Sequence, residues 1–398
     1  MLIANQFHSY NVSAMNPLKQ KIIQKIQTEG PITFRTFMEM ALYEPELGYY
    51  ISQNAKIGRT GDFYTSSHLH PVFGAMIGKQ IEEMREIMGK PSDFQIVEMG
   101  SGAGYLCKDM LEYYKGAKGS RGQGAREERE IYKHLQYIIV ELNPTMRDSQ
   151  KNLLSDFSDK VRWVSSIKKL RNIKGCILSN ELLDAFPVHL VEMEDEIKEI
   201  FVGIEGERLI EIKQKPSTDE IYSYLKEFSI ELPKGYRTEI NLKIKEWLNE
   251  INNSLSEGFI FTIDYGYPAW DYYSEDRNRG TLLCYHKHQV VEDPYQNIGE
   301  QDITAHVNFS AVKKWGEELG IKTLGFCQQG TFLMSLGIDE AIAQIHKNSS
   351  DYLFEVARIK KLILPGTMGE SHKVMTQYKG KGEPELKGFS MKNQRGKL

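Results

Sequence analysis

The 398-residue sequence has no excess of positive charge, because 50 lysines and arginines stand against 54 aspartates and glutamates and leave a net charge of −4. Proteins that coat nucleic acid or an anionic membrane need a clear cationic excess. The sequence also lacks an apolar run long enough to span a bilayer, and residues 1–17 lack the pattern of a signal or transit peptide. We therefore expect a cytoplasmic protein, or a mitochondrial matrix protein if the source is eukaryotic, with no nucleic-acid partner and no membrane insertion.

Cysteine and metal-ligand patterns are sparse as well. The four cysteines are Cys107, Cys176, Cys284 and Cys327. None has C-x-x-C spacing, and a chain with 40% hydrophobic and 11% aromatic residues can build a core without disulfide bonds, so a reducing compartment is expected. The histidine pairs His68/His70 and His286/His288 have no thiol or carboxylate at ligand spacing, and no metal is predicted. The phosphate loop, the H-E-x-x-H helix and the G-x-S-x-G elbow are all absent from the sequence.

Short β-rich runs alternate with helical patterns in the middle of the chain. The runs are residues 94–99, 137–140, 161–164 and 175–178. Such alternation predicts an α/β fold, in which helices cover both faces of a parallel sheet. Ahead of it, residues 18–26 and the stretch after a helix-capping Thr33 predict two helices. The Gly- and charge-rich residues 115–130 predict a surface insertion between the first two strands.

The alternation stops at residue 189. Residues 189–214 hold three short strand-like runs that predict an antiparallel meander, and helical patterns follow at 218–228 and 238–255. The sheet resumes at 259–263. Its later elements are predicted as a helix over 309–319, a strand near 323–326, a helix over 339–362 and a strand over 372–377. The predicted units are N-terminal helices with a covering loop (1–75), the first part of the core (76–188), an inserted subdomain (189–256), the second part of the core (257–378) and a polar basic tail (379–398).

The most informative motif follows the first β-rich run. Its glycines are Gly100, Gly102 and Gly104, with Ser101 between them and Glu98 ahead of them. A dinucleotide fingerprint, G-x-G-x-x-G, would require a glycine where the chain has tyrosine. An acidic G-x-G-x-G turn suits S-adenosyl-L-methionine instead, because this cofactor carries a sulfonium and an ammonium and has no phosphate to be repelled by a carboxylate. The alternative is a glycine turn that binds no ligand.

Acidic and amide side chains also stand at the ends of the second and fourth β-rich runs. Glu141 ends the second and can accept hydrogen bonds from ribose hydroxyls, unless it is only a solvated acid at a strand end. Asn180 ends the fourth and can bind the methionine part of the cofactor. Glu181 and Asp184 follow it at a spacing that places both on one face of a helical turn. The pair can bind a cationic acceptor and take a proton from it, or can simply cap the next helix.

Two further features have open interpretations. The polar loop 57–66 contains two glycines and either closes over the site as a lid or is an ordinary surface loop. Thr65 in this loop is assigned to cofactor binding. His306 can act as a base or can be a hydrogen-bonded structural histidine.

The chain resembles a known family. It is similar to the MidA family, which comprises the mitochondrial complex I assembly-factor methyltransferases and their bacterial relatives. The segments that carry the resemblance are FMEMALYEPELGYY (37–50), GDFYTS (61–66), EMGSGAG (98–104), NELLDAFPV (180–188), IDYGY (263–267), GTL (280–282), QDITAHVNF (301–309) and MGE (368–370). The resemblance implies a Rossmann-like, seven-stranded S-adenosyl-L-methionine-dependent methyltransferase fold with an N-terminal helical segment and an inserted, mainly helical subdomain.

The resemblance also implies an activity. In the mitochondrial members the methyl group goes to an arginine of a respiratory complex I subunit, so the expected partner is an arginine-containing protein. Glu181 and Asp184 are then the candidate catalytic residues, with Glu181 pairing with the guanidinium. Two alternative functions stay open. One is a methyltransferase acting on a small molecule or another side chain, and the other is a non-catalytic assembly factor that keeps the cofactor fold.

Overall fold

The computed structural model describes five stretches of the chain: residues 16–52, 66–116, 128–287, 289–346 and 351–398. The predicted loop 57–66 lies outside them except for Ser66, and so does most of the predicted insertion 115–130. Within the stretches that are described, no helix is both long enough and apolar enough to cross a membrane.

The strands are numbered in chain order. They are β1 (Ile32–Thr33), β2 (Gln95–Met99), β3 (Gln136–Val140), β4 (Val161–Val164), β5 (Ile173–Asn180), β6 (His189–Met193), β7 (Ile197–Glu205), β8 (Arg208–Gln214), β9 (Arg237–Ile240), β10 (Leu255–Tyr267), β11 (Leu283–His286), β12 (Gln289–Val291), β13 (Asp302–Thr304), β14 (Val307–Asn308), β15 (Lys322–Gln328) and β16 (His372–Lys379).

The helices are numbered in the same way. They are α1 (Pro17–Glu29), α2 (Phe34–Tyr43), α3 (Ser66–Leu69), α4 (Val72–Ile87), α5 (Tyr105–Lys115), α6 (Glu130–His134), α7 (Pro144–Leu153), α8 (Glu220–Glu227), α9 (Lys243–Ser254), α10 (Ala269–Tyr272), α11 (Phe309–Glu318), α12 (Gln329–Ser335), α13 (Ile338–His346), α14 (Tyr352–Ile363) and α15 (Met368–Ser371). Side-chain caps begin several of them: Thr33 accepts the backbone N–H of Thr36 ahead of α2, and Asn143 accepts two backbone N–H groups ahead of α7.

The main sheet confirms the predicted α/β fold. Its strand order is β15-β16-β10-β5-β2-β3-β4, and the short β14 pairs beside β10. The strands β10, β5, β2, β3 and β4 run parallel to one another, whereas β16 runs antiparallel to both β10 and β15. The carboxyl ends of β2, β3, β5 and β10 therefore meet at one edge, where open α/β sheets bind their ligands.

Helices cover both faces of this sheet. On one face α4, α5, α12 and α14 bury an apolar cluster that includes Phe73, Met110 and Phe332. On the other face α9 and α11 contribute residues such as Trp247 and Trp315 to a second cluster. Burial of two such apolar layers is what fixes the sheet between its helices.

The inserted subdomain forms a second sheet with the N-terminal segment. Its order is β1-β7-β6-β9, with β8 paired to β7. The strands β6, β7 and β8 form the predicted meander. The helix predicted over 238–255 starts only at Lys243, because residues 237–240 pair with β6 and are buried there as a strand.

Three other segments differ from the sequence prediction. The helix predicted over 339–362 is two helices, α13 and α14, with α12 ahead of them. A small sheet of β11, β12 and β13 was not predicted, because strands this short show too little periodicity. The residues after β16, predicted as a polar basic tail, also contain apolar side chains, and Leu386 and Phe389 are buried.

Candidate active site

The turn after β2 is built from glycines in left-handed backbone conformation. Gly100, Gly102 and Gly104 have φ of 70°, 52° and 89°, a region that side chains with a Cβ rarely adopt. A Cβ added to Gly100 would stand 2.8 Å from the Cδ1 of Leu182. The turn therefore brings bare backbone to the carboxyl edge of the sheet.

A cavity of about 430 Å³ lies over this turn, and we call it the cofactor cavity. The predicted cofactor residues that line it are Glu98, Gly100, Ser101, Gly102, Glu141 and Asn180. Gly104 instead caps α5 and lies beside the side chains of Gln150 and Leu153. Thr65 falls outside the described residues.

Glu98 is a buried residue in the lining of the cofactor cavity. It is 2% exposed, and the hydroxyl of Tyr137 donates a 2.7 Å hydrogen bond to its Oε2. Burial, with a smaller contribution from Glu141, raises the pKa of Glu98 to about 7. A bound cation would favour the ionised form, so this carboxylate suits a positively charged ligand.

Glu141 and the glycine turn are joined by Gln150, a fully buried residue of α7. The Gln150 amide nitrogen donates to Ser101 Oγ at 3.0 Å, to Gly102 O at 2.7 Å and to Glu141 Oε2 at 3.1 Å. Its amide oxygen accepts from the indole N–H of Trp163 at 2.9 Å. Gln150 was not identified from the sequence, because its role depends on residues of three separate elements.

The N-terminal segment and the inserted subdomain complete the wall of the cofactor cavity. Arg35, Glu39 and Tyr43 line it from α2, and Lys243 and Trp247 line it from α9. The inserted subdomain is thus also a wall of the cofactor cavity. None of these five residues was predicted as a site residue.

Glu181 lies at the centre of the site. Its φ is +51°, a left-handed conformation that costs energy for a residue with a side chain. Its Oε1 accepts from the backbone N–H of Ser66 at 3.1 Å and from the Asn180 amide at 3.3 Å, and the Nε2 of His372 stands 3.3 Å away. Among the described residues Oε2 has no hydrogen-bond partner, although it is buried.

Asp264 holds the turn that carries Glu181. Its Oδ2 accepts the backbone N–H groups of Leu182 and Leu183 at 3.1 and 2.8 Å, and its Oδ1 accepts that of Tyr265 at 2.9 Å. Burial raises the pKa of Asp264 to about 7. The segment IDYGY was one of those that carried the resemblance, yet the sequence did not show that its acid supports the turn of Glu181.

A second cavity, of about 410 Å³, lies on the other side of Glu181, and we call it the acceptor cavity. Asp184 and Asp302 line it together with Glu181, and so do Tyr265 and His306. Glu181 lines both cavities. The structure therefore brings the predicted pair Glu181 and Asp184 together, and it adds Asp302, which the sequence analysis had not singled out.

The electrostatic environment of the acceptor cavity is acidic. Asp184 is 5% exposed, and its buried Oδ1 has no hydrogen-bond partner in the stretches of chain that are described. Burial, and then the carboxylates of Asp264, Asp302 and Glu181, hold the pKa of Asp184 well above its usual range. A cationic group that enters the cavity would relieve this repulsion.

The N-terminal segment bridges the two cavities. The hydroxyl of Tyr50, which lines the cofactor cavity, donates a 2.7 Å hydrogen bond to Oδ1 of Asp302 in the acceptor cavity. The Asn143 amide donates to the Tyr50 carbonyl at 2.9 Å, and the Tyr43 hydroxyl donates to the Ala185 carbonyl at 3.0 Å. These bonds hold residues 43–50 against the core.

The cofactor cavity fits S-adenosyl-L-methionine. The buried Oδ1 of Asn180 has no hydrogen-bond partner among the residues described, and like Oε2 of Glu181 it is an acceptor available to a ligand ammonium. Glu98 and Glu141 add two carboxylates to the wall, and burial also raises the pKa of Glu141. Buried acceptors without partners are costly unless a donor arrives, and this cofactor supplies cationic donors.

Of the two histidine pairs, the structure describes the side chains of His70 and His286. His70 Nε2 lies 2.7 Å from Glu355 Oε2, and His286 Nδ1 lies 2.8 Å from the Glu300 carbonyl. No group of three His, Cys, Asp or Glu side chains that could hold a metal ion is found within the described residues.

Comparison with known proteins supports the family and the cofactor. The model of a family described as S-adenosyl-L-methionine-dependent methyltransferases matches residues 76–327. The mitochondrial protein arginine methyltransferase NDUFAF7 of Danio rerio is 28% identical over 391 residues, which cover 91% of this chain and 86% of that protein. NDUFAF7 of Homo sapiens is 26% identical, with 87% of this chain and 79% of that protein covered. A crystal structure from Burkholderia thailandensis with bound S-adenosyl-homocysteine is 28% identical, has a TM-score of 0.84 and covers 96% of each chain.

Proposed function

Because the chain belongs to the MidA family of S-adenosyl-L-methionine-dependent methyltransferases, we propose that its acceptor is a guanidinium nitrogen of an arginine in a protein. The observation that carries this proposal is the position of Glu181, which lines the cofactor cavity on one side and the acceptor cavity on the other. A group bound by this carboxylate would lie between the two cavities.

The chemistry of the acceptor cavity favours a planar cation. Glu181, Asp184 and Asp302 line it, and carboxylates bind guanidinium through paired, charge-assisted hydrogen bonds. A neutral small molecule would gain little from three carboxylates and would bring no charged donor to Oε2 of Glu181 and Oδ1 of Asp184, which lack a hydrogen-bond partner among the described residues. Lys361 also lines this cavity, where it can meet a carboxyl or carbonyl group of the acceptor.

The protein's residues act mainly by alignment. A guanidinium stays protonated in water, so Glu181 is assigned to bind two of its N–H groups and to concentrate the positive charge on that side. The remaining nitrogen then retains more electron density for attack. The bound cofactor supplies the methyl group as an electrophile on sulfur. Holding the two partners in one geometry accounts for much of the rate enhancement that such a site can give.

The named relatives support a protein as the acceptor. The proteins from Danio rerio and Homo sapiens are named as arginine methyltransferases, and the identities run over most of this chain. We extend the proposal to a respiratory complex I subunit or an equivalent protein as the partner. We assign the inserted subdomain, residues 189–256, as a candidate face for that partner, since it borders the cofactor cavity through α9.

Two measurements test the proposal. Titration calorimetry with S-adenosylhomocysteine, run beside NADH, should give micromolar binding for the first compound and none for the second. The protein should then transfer a labelled methyl group from S-adenosyl-L-methionine to proteins in a cell extract, and acid hydrolysis should release the label as methylarginine. Label in another amino acid or in a small molecule would replace arginine as the acceptor. Absence of S-adenosylhomocysteine binding would favour a non-catalytic assembly factor.

A further inference from the structure

His306 stands in the wall of the acceptor cavity, in the segment between β13 and β14. Val307 pairs with Gly266 in parallel register, which places His306 beside Tyr265. The two rings are nearly parallel, with an interplanar angle of 6° and centroids 6.1 Å apart. Both residues line the same cavity as Glu181 and Asp184.

His306 is half-buried, and one nitrogen of its ring lacks the hydrogen bond that a structural histidine usually makes. Its Nδ1 is buried and has no hydrogen-bond partner in the described part of the chain. The hydrogen bond that fixes this residue comes from its backbone, whose N–H donates to Thr281 Oγ1 at 3.0 Å. The backbone is therefore anchored, while the imidazole is left with an unused acceptor or donor site.

Cations lie near the His306 ring by way of Tyr267, and further charged groups line the acceptor cavity. Arg277 and Lys373 both lie over the ring of Tyr267, at 3.8 and 5.3 Å, and the Tyr267 ring centroid is 5.3 Å from that of His306. The charged and titratable residues that line the same cavity are Glu181, Asp184, Tyr265, Tyr285, Asp302 and Lys361. Burial, with Lys373, Arg277 and His372, lowers the pKa of His306 to about 4. The imidazole is thus neutral near pH 7 and keeps a lone pair.

We propose that His306 is the base that accepts the proton released when the acceptor nitrogen is methylated, an inference that rests on the proposed arginine acceptor. In the balanced step the arginine nitrogen forms a bond to the methyl carbon, and the carbon–sulfur bonding pair stays on sulfur. That nitrogen gives up one N–H proton to the imidazole. The methylated guanidinium keeps one positive charge, the imidazole gains one, and the imidazolium later passes its proton to water.

This assignment gives separate tasks to the acids and to the base. Glu181 and its neighbouring carboxylates bind the cation, so their oxygens are engaged with N–H groups that are not lost. A neutral imidazole in the same cavity takes the departing proton, and the nearby carboxylates stabilise the imidazolium that results.

The first test uses His306→Gln, with His286→Gln as the matched control from the neighbouring small sheet. At saturating acceptor protein, single-turnover methylation by His306→Gln should fall about 100-fold, the lower end of what a general base contributes. Binding of S-adenosylhomocysteine should stay within about twofold, because His306 does not line the cofactor cavity. His286→Gln should match the unmodified protein in both measurements. An unchanged rate for His306→Gln would overturn the assignment.

A second readout does not depend on turnover. In protein with ¹³C-labelled histidine and bound S-adenosylhomocysteine, addition of Nα-acetyl-arginine methylamide should shift the ring resonance of His306 and lower its pKa further, since a bound guanidinium adds a positive charge beside the ring. The His286 resonance should not move. If the arginine probe leaves the His306 resonance unchanged, the ring lies outside the acceptor site and the proposal is refuted.

The two proposals fail in different ways. If the unmodified protein forms methylarginine while His306→Gln keeps its rate, only the base assignment is lost. If His306→Gln loses rate and probe binding in equal proportion, His306 shapes the cavity and is not the base. If the unmodified protein labels no arginine at all, the arginine acceptor is wrong and the base assignment falls with it.

Discussion

Oε1 of Glu181 lies 3.3 Å from Nε2 of His372, and both side chains are buried, at 3% and 0% exposure. Together with the N–H of Ser66 and the amide of Asn180, this contact fixes the position of one carboxylate oxygen of Glu181. The other oxygen is buried without a partner among the described residues. One carboxylate is therefore both positioned by the protein and still able to bind a ligand.

Substitution Glu181→Gln should abolish turnover and leave the affinity for S-adenosylhomocysteine within a few-fold. The amide keeps the size of the side chain but cannot pair with a guanidinium as a carboxylate does. Methyl transfer and calorimetry on the same preparation measure the two effects. Loss of turnover and of cofactor affinity in equal proportion would make Glu181 a cofactor-binding or structural residue.

Substitution Gly102→Val should remove cofactor binding. Gly102 lines the cofactor cavity with φ of 52°, so valine would add both backbone strain and a side chain where the ligand approaches. Gly89→Val is the matched control, because Gly89 also has a positive φ, 79°, and a Cβ there meets nothing within 4 Å. Calorimetry should show no binding for Gly102→Val and normal binding for Gly89→Val. Equal affinity of the two variants would contradict the assigned role of the turn.

Substitution Gln150→Met should weaken S-adenosylhomocysteine binding about tenfold, which is near 1.4 kcal/mol, the size of one or two net hydrogen bonds. Without the amide, Glu141 and the carbonyl of Gly102 lose the donor that holds them together. Gln80→Met is a suitable control, since Gln80 is equally buried and bonds to Glu83 and Gly388 away from the cavity. If both variants lose the same stability but bind the cofactor alike, Gln150 only supports the fold.

Binding of an arginine probe should strengthen as the pH rises through neutrality. Burial and neighbouring carboxylates hold the pKa of Asp184, which lines the acceptor cavity, well above its usual range. When this carboxyl is protonated, the proton competes with the cation. The guanidinium stays charged throughout, so affinity should rise by up to about tenfold per pH unit for each proton displaced.

This pH dependence can be measured by titrating Nα-acetyl-arginine methylamide into protein with bound S-adenosylhomocysteine, in two buffers of different ionisation enthalpy. The difference in heat gives the number of protons released. Asp184→Asn should release fewer protons and show a flatter pH profile. An affinity independent of pH would mean that the carboxylates are already ionised in the empty cavity.

Much of the fold could be predicted because it depends on local patterns. The strand β4 was predicted at residues 161–164, where the structure has Val161–Val164, and Thr33 caps α2 as expected. Alternating apolar runs and helical periods survive in almost any tertiary context. Residues 238–240 were predicted as helix because their own pattern is ambiguous, and only pairing with β6 made them part of a strand.

The sequence by itself determined the glycine turn, the acids at the strand ends and the α/β alternation, since each depends on neighbouring residues and on the rule that parallel strands share a carboxyl edge. Only the tertiary structure decided which distant groups meet. Gln150, Asp264, Asp302 and His306 enter the site from different elements, and no local pattern records such contacts. Their placement follows from how strands pair and helices pack, so it becomes visible only when the whole chain is folded.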